Sequence, residues 1–354
     1  MKSLKVNPSL AACALGLCLA VQTKAQVDPN FHIYLAFGQS NMEGNSKDFN
    51  ATDKLANPRF QVLAAVSCAS PGRTKDKWAP GIAPLARCNT GLTPADYFAR
   101  TLIDSLPSNI KIGIALVAVG GTKIEGFDLS TYKAYYAGEA TWMQNYANEY
   151  GGNPYGRLVA MAKEAQKSGV IKGILLHQGE SNTGDATWPS KVSKIYSSLL
   201  NDLGLKASNV PLLAGEVVNA DQGGACAGHN NVIAKLPQTI PTSYVISSKG
   251  CPAVSDKLHF TSAGYRELGK RYATQMLKLL KTGTSIHSIH QIDGIASGAL
   301  AVYDVRGSRV AEIKAMDAAS IDREWNGIRR NLPVGIYWMK DRSTGNAWKL
   351  LNGR

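Results

Sequence analysis

Five short apolar runs, at residues 33–37, 112–119, 171–176, 211–218 and 244–247, recur along the chain with helix-like stretches between them. Runs that are mostly apolar, without the alternation of a half-solvated sheet, read as strands buried on both faces. Such strands need cover on each side. The stretches at 95–106, 157–166, 190–203 and 262–281 have the periodicity of crossover helices, and Ser262 stands where the last of them needs an N-cap. The pattern predicts an α/β fold, a three-layer α/β/α sandwich around a parallel sheet. In sheets of this kind ligands bind beyond the carboxyl ends of the strands, so the polar residues that follow each run carry the functional information.

The first run leads into Phe37-Gly38-Gln39-Ser40-Asn41-Met42-Glu43-Gly44. Gly38 and Gly44 permit a sharp turn between strand and helix, which would expose the Ser40 hydroxyl and N–H at the sheet edge. An isolated motif of this kind is more often an ordinary Ser-Asn turn. Two later segments change that reading. His177-Gln178-Gly179-Glu180-Ser181-Asn182 follows the third run, and Asp256-Lys257-Leu258-His259-Phe260 precedes the last helix. A nucleophilic serine needs a base, a carboxylate to hold that base, and donors for the developing oxyanion. The chain offers all three.

Strand-end serine, polar strand-end cluster and late Asp-x-x-His, in that order, resemble the SGNH (GDSL-like) hydrolases, whose fold is a flavodoxin-like sandwich. The form of the motifs is similar to that of the acetylxylan esterases of carbohydrate esterase family 6 and the related sialate O-acetylesterases. The similarity spans roughly residues 31–280. It implies that Ser40 is the nucleophile and His259 the general base. Either Asp256, three residues before the histidine, or Glu180 would orient His259, with Asp256 preferred. The oxyanion hole would combine the Ser40 N–H with Gly120 or Gly121, in the turn after the second run, and a side-chain amide from Gln178 or Asn182. Asn41 and Glu43 are expected to shape the turn.

The resemblance implies a serine esterase without cofactor. It would remove O-acetyl groups from plant cell-wall polysaccharide, foremost xylan, through an acetyl-enzyme. A sialate O-acetylesterase is the nearest alternative, and a non-catalytic glycan-binding surface protein is the alternative from another class. Trp78 and Trp142, in loops rich in Gly, Pro or Tyr, are equally suited to sugar stacking and to anchoring those loops.

Other chemistries have less support. His177 and Glu180 share a ligand-like spacing, but no third ligand lies nearby in sequence and zinc needs three. No phosphate-binding or dinucleotide-binding glycine loop occurs. The formal charge of +13 suits an anionic partner, yet the basic residues are scattered and no aromatic-basic module for nucleic acid appears. His32, His229, His287 and His290 read as structural or solvated.

Lys2 and Lys5 precede an apolar stretch that ends near Thr23-Lys24-Ala25, so residues 1–25 read as a signal peptide. No later stretch has the length of a membrane span. Export would leave Cys68, Cys88, Cys226 and Cys251 in an oxidising compartment. Three pairings are possible; the local pairs Cys68 with Cys88 and Cys226 with Cys251 are expected. An esterase domain is placed at 26–281 and a linker at 282–293. Residues 294–354 carry short alternating strands around 299–307, 332–339 and 347–351 and read as a small β-sandwich module. It is similar to the sorting or surface-attachment domains of exported bacterial proteins, with a small carbohydrate-binding module as the competing reading.

Overall fold

The computed structural model describes residues 27–285 and, in the C-terminal part, 298–352 apart from 305, 316–317, 334 and 342–346. The signal peptide and most of the expected linker lie outside the described residues.

Seven strands form the main sheet: β1 (Phe31–Gly38), β2 (Phe60–Leu63), β3 (Trp78–Pro80), β4 (Lys111–Ala118), β5 (Val170–His177), β6 (Leu212–Gly215) and β7 (Ser243–Ile246). Their order is β3-β2-β4-β1-β5-β6-β7. All neighbours run parallel except the edge strand β3, which pairs antiparallel with β2. The five expected strands are present. The two additional ones, of four and three residues, are too short to show a period.

The helices are α1 (Ser40–Glu43), α2 (Pro94–Ser105), α3 (Tyr132–Ala137), α4 (Thr141–Asn148), α5 (Pro154–Ala165), α6 (Trp188–Leu203), α7 (Asn230–Ile233), α8 (Leu236–Thr239) and α9 (Ser262–Ser285). Alternation along β1 separates the two faces, as a strand's period of two requires. Ile33, Leu35 and Phe37 join a core with Leu158 and Met161 of α5 and Leu199 of α6. Tyr34 and Ala36 join a second core with Phe98 and Leu102 of α2 and Tyr265 and Tyr272 of α9. Helix α2 starts at a capping box: Thr93 accepts from Ala95 N–H, and Asp96 accepts from Thr93 N–H.

Strand β1 is the position at which strand order reverses. From β1 the chain crosses first to β2 and the edge strand β3, returns to β4 beside β1, and then builds outward through β5, β6 and β7 on the other side. The crevice at such a switch point lies at the carboxyl end of β1, and Ser40 follows that end directly.

The C-terminal part holds β8 (Gly298–Asp304), β9 (Arg309–Ala315), β10 (Gly335–Asp341) and β11 (Ala347–Asn352), with helix α10 (Ala318–Ile328). The strands form one antiparallel sheet in the order β11-β10-β8-β9. Leu300, Val302, Ile313, Tyr337 and Met339 pack with Ile321 and Trp325 of α10. In the described residues a helix therefore covers this sheet where a sandwich would place a second sheet. Its amphipathic stretch lies in a segment that the strand pattern alone leaves unassigned.

The cysteines divide. Cys68 and Cys88 are bonded, and Cys226 and Cys251 are free thiols. The expected Cys226–Cys251 bond fails because the two residues lie on opposite faces of the sheet: Cys226 packs against the α5–α6 core, and Cys251 is part of the α2–α9 core. Their nearness in sequence spans a crossing of the central layer.

Candidate active site

The carboxyl ends of β1 and β5 meet at Gly38, whose partner in the ladder is His177. A β-carbon on Gly38 would lie 2.0 Å from the His177 carbonyl oxygen, and its φ of +152° is open to glycine but not to other residues. The tight approach turns the chain into α1 at once and sets Ser40 at the mouth of the crevice. There the Ser40 Oγ lies 2.8 Å from His259 Nε2, and His259 Nδ1 lies 2.7 Å from Asp256 Oδ2.

Asp256 also folds its own loop. Its Oδ1 accepts the N–H groups of Leu258 at 2.8 Å and His259 at 3.0 Å. Partial burial would raise its pKa, but the hydrogen bonds from His259 and the two N–H groups outweigh that effect and hold the carboxyl below its ordinary range. The group is thus an anion at neutral pH, placed to fix the imidazole tautomer and to stabilise an imidazolium.

Glu180 does not reach His259 by any direct hydrogen bond. Its Oε1 accepts from Asn41 Nδ2 at 2.5 Å and lies 3.7 Å from His177 Nε2. Burial would raise its pKa; the interactions with His177 and Asn41 prevail and lower it. Of the two carboxylates open from the sequence, only Asp256 sits on the imidazole. The short tether of Asp-x-x-His gives the physical reason, since the carboxylate and ring share one turn of chain.

The amide donors expected from the third motif are committed elsewhere. Gln178 is fully buried. Its Nε2 donates to Gln39 Oε1 at 3.1 Å and Asn182 Oδ1 at 2.6 Å, while its Oε1 accepts from the Trp188 indole N–H. Asn182 accepts from Ile124 N–H and donates to Glu125. Both amides stitch loops together behind the site, which corrects the expectation that one faces the oxyanion. Gly120 is also engaged, because its N–H donates to Glu43 Oε1 at 3.2 Å. Gly121, in the left-handed region with φ of +74°, lines the crevice with Ser40.

Gln39 is the residue that sequence reasoning passed over. It lines the crevice, and its Oε1 is held by Gln178 Nε2 and by the N–H groups of Gly179 and Ser181. Its Nε2 donates one hydrogen to Ser181 Oγ at 3.3 Å, and a primary amide carries a second. Its position next to the serine was visible; its orientation depends on residues more than a hundred positions away.

The crevice has a volume of about 600 Å³. One wall is an ion-paired cluster. Arg87 donates to Glu43 Oε1 through Nε at 3.1 Å and Nη2 at 2.7 Å, and to Glu149 Oε1 through Nη1 at 2.5 Å. Its guanidinium lies over the Tyr146 ring, 3.8 Å from the centroid. Burial pushes the Glu43 carboxyl up, against the opposing pull of Arg87 and the Gly120 N–H. The disulfide ends at Cys88, the residue after Arg87. Trp142 and Tyr146 of α4 form the rim, their rings 5.6 Å apart. Trp142 is 49% exposed, whereas the Trp78 ring packs at a tilt against Phe31, their centroids 4.7 Å apart. The two tryptophans left open by the sequence therefore differ: Trp78 anchors its loop, and Trp142 faces the opening.

Among the described residues no group of three or more His, Cys, Asp or Glu side chains is arranged to hold a metal ion. No helix among them is long and apolar enough to cross a membrane. His229 is buried against Trp188.

The family model described as carbohydrate esterase, sialic acid-specific acetylesterase, matches residues 30–278. A probable carbohydrate esterase of Arabidopsis thaliana is 26% identical over 274 residues, covering 72% of this chain and 94% of the relative. Among solved structures, an Arabidopsis thaliana protein aligns with a TM-score of 0.54 at 21% identity, covering 71% of this chain and 99% of its own. The structure of NanS aligns with a TM-score of 0.54 at 17% identity, covering 73% of this chain and all of the other. These likenesses in structure bear on the fold.

Proposed function

Because the chain belongs to the sialic acid-specific acetylesterase family of carbohydrate esterases, we propose that it is an exported serine esterase that removes O-acetyl groups from plant cell-wall polysaccharide, foremost acetylated xylan. The observation that carries the chemistry is the continuous Ser40–His259–Asp256 chain, with contacts of 2.8 and 2.7 Å. His259 Nε2 takes the proton as Ser40 Oγ attacks the acetyl carbonyl carbon. The tetrahedral oxyanion lies against the N–H groups of Ser40 and Gly121 and the second amide hydrogen of Gln39. When the carbon–oxygen bond to the sugar breaks, His259 returns the proton to the leaving oxygen. Water then gives a proton to His259 and its oxygen to the acetyl carbon, and release of acetate restores the Ser40 hydroxyl.

The Cys68–Cys88 bond supports export, because such bonds persist in oxidising compartments. Residues 294–354 would serve attachment to a surface or to secretion machinery, a role supported by their sequence pattern. An O-acetylated sialic acid is the second reading of the substrate, favoured by the description of the matching family. Acetate release from acetylated xylan and from an O-acetylated sialic acid, with Ser40→Ala alongside, tests both. Release from xylan that vanishes in the variant is the expected result. Release from the sialic acid alone would move the substrate to the second reading, and release from neither would point to glycan binding without turnover.

A further inference from the structure

The Asn41 side chain is fully buried one residue after the nucleophile, and all four hydrogen-bonding positions of its amide are used. Nδ2 donates to Glu180 Oε1 at 2.5 Å and to the Leu258 carbonyl at 2.9 Å. Oδ1 accepts from Phe260 N–H at 3.4 Å and from the Tyr265 hydroxyl at 2.6 Å. An amide has two donors and two acceptor lone pairs, so nothing is left over. Leu258 and Phe260 are the two neighbours of His259. One side chain on the nucleophile's turn thus grips the base's loop on both sides of the base.

The structure assigns Asn41 as a positioning residue that sets the distance between Ser40 and His259, with Glu180 acting through it as a hydrogen-bond acceptor. The inference rests on the serine-esterase reading above. It separates two roles for Glu180. A carboxylate that stabilises the imidazolium directly must be charged; one that only accepts from Asn41 can be replaced by a glutamine, whose amide oxygen accepts in the same place. A buried amide left with unmatched donors would also shift the loop, and misplacement by about 1 Å costs a reacting pair roughly a hundredfold in rate.

The test measures kcat and KM separately on a small acetyl ester for wild type, Ser40→Ala, Asn41→Ala, Glu180→Ala, Glu180→Gln and the Asn41→Ala/Glu180→Ala double variant. Near-UV circular dichroism reports folding. The expected result is that Asn41→Ala lowers kcat about a hundredfold with KM nearly unchanged. Glu180→Ala should follow it, the double variant should be no worse than the worse single one, and Glu180→Gln should retain kcat within a few fold. If Asn41→Ala does not fold, the contrast between Glu180→Gln and Glu180→Ala decides. Equal, severe losses in those two would overturn the inference, because the charge would then act directly. So would full kcat in a folded Asn41→Ala. An active wild type with inactive Ser40→Ala keeps the esterase reading whatever the other variants do; a wild type without turnover removes the reading and the inference together.

Discussion

Ser40 and His259 reach the crevice from unlike kinds of structure. Ser40 leaves β1, which is paired along its length with β4 and β5 and lies between two cores. His259 comes from the segment between β7 and α9, where the described pairing is the isolated bridge Ala253–Phe260 and where the Asp256 side chain is 44% exposed. One half of the site is placed by sheet geometry and packing. The other is placed by a few hydrogen bonds: Val254 N–H to the His259 carbonyl, Asp256 to two N–H groups, and Asn41 to both flanks of the base. The difference implies that substitutions on the serine side should change chemistry or global stability, while those on the histidine side should change catalysis with little effect on the sheet.

The largest effect should come from Ser40→Ala, with turnover down by about ten-thousandfold or more and an unchanged unfolding midpoint. Substantial residual acetate release would remove the nucleophile from the packed half altogether. Asp256→Asn should follow, with a loss of roughly a thousand- to ten-thousandfold through the wrong tautomer. A drop in melting temperature as large as that of a core variant would break the contrast, because it would make the loop part of the cooperative core.

Arg87→Ala tests the buried wall instead. Removing the cation leaves the Glu43 carboxylate buried without its partner and should cost about 3–5 kcal/mol in denaturant unfolding. Replacing Cys68 by Ser should cost about 3 kcal/mol in the chain-entropy picture, since the bond closes a loop of some twenty residues. Reductant acting on the wild type should give the same shift, and none through Cys226 or Cys251.

The smallest effects should appear with pH and with truncation. The Asp256 carboxyl lies below its ordinary value in the folded protein. Its contribution to the loop is therefore fully present above the unfolded value, about 3.9, and is lost only as pH falls through the lower folded one. Modification of Ser40 by an organophosphate should show no step attributable to Asp256 at or above the ordinary carboxyl value; a step there that disappears in Asp256→Asn would contradict the shift. Ending the chain after Ser285 should leave kcat on a small ester within about twofold, and a larger loss in a folded truncation would give residues 294–354 a part in building the site.

The central strands and their crossover helices were legible because each is long enough to display a period: the expected 262–281 helix and the 33–37 strand lie within α9 and β1. Strands β2 and β3 and helices α3 and α4 were not, being short elements inside loops rich in Gly, Pro and Tyr. Ser40, Asp256 and His259 stood out by chemistry and order. Gln178 did not follow its motif because Trp188 and Asn182 claim its amide, a competition that only the tertiary arrangement reveals. Arg87 gave no signal at all; its meaning depends on Glu43 and Glu149, at separations of 44 and 62 residues.

The loosely paired segment that bears His259 also defines a gradient of local opening. Where backbone groups are exposed and contacts few, amides exchange through small fluctuations; in β1 they should exchange only with global unfolding. Mild urea should then release residues 254–259 first. The protein would fall silent while its far-UV signal is still native, and would recover on dilution at the speed of a loop closing rather than of a domain refolding.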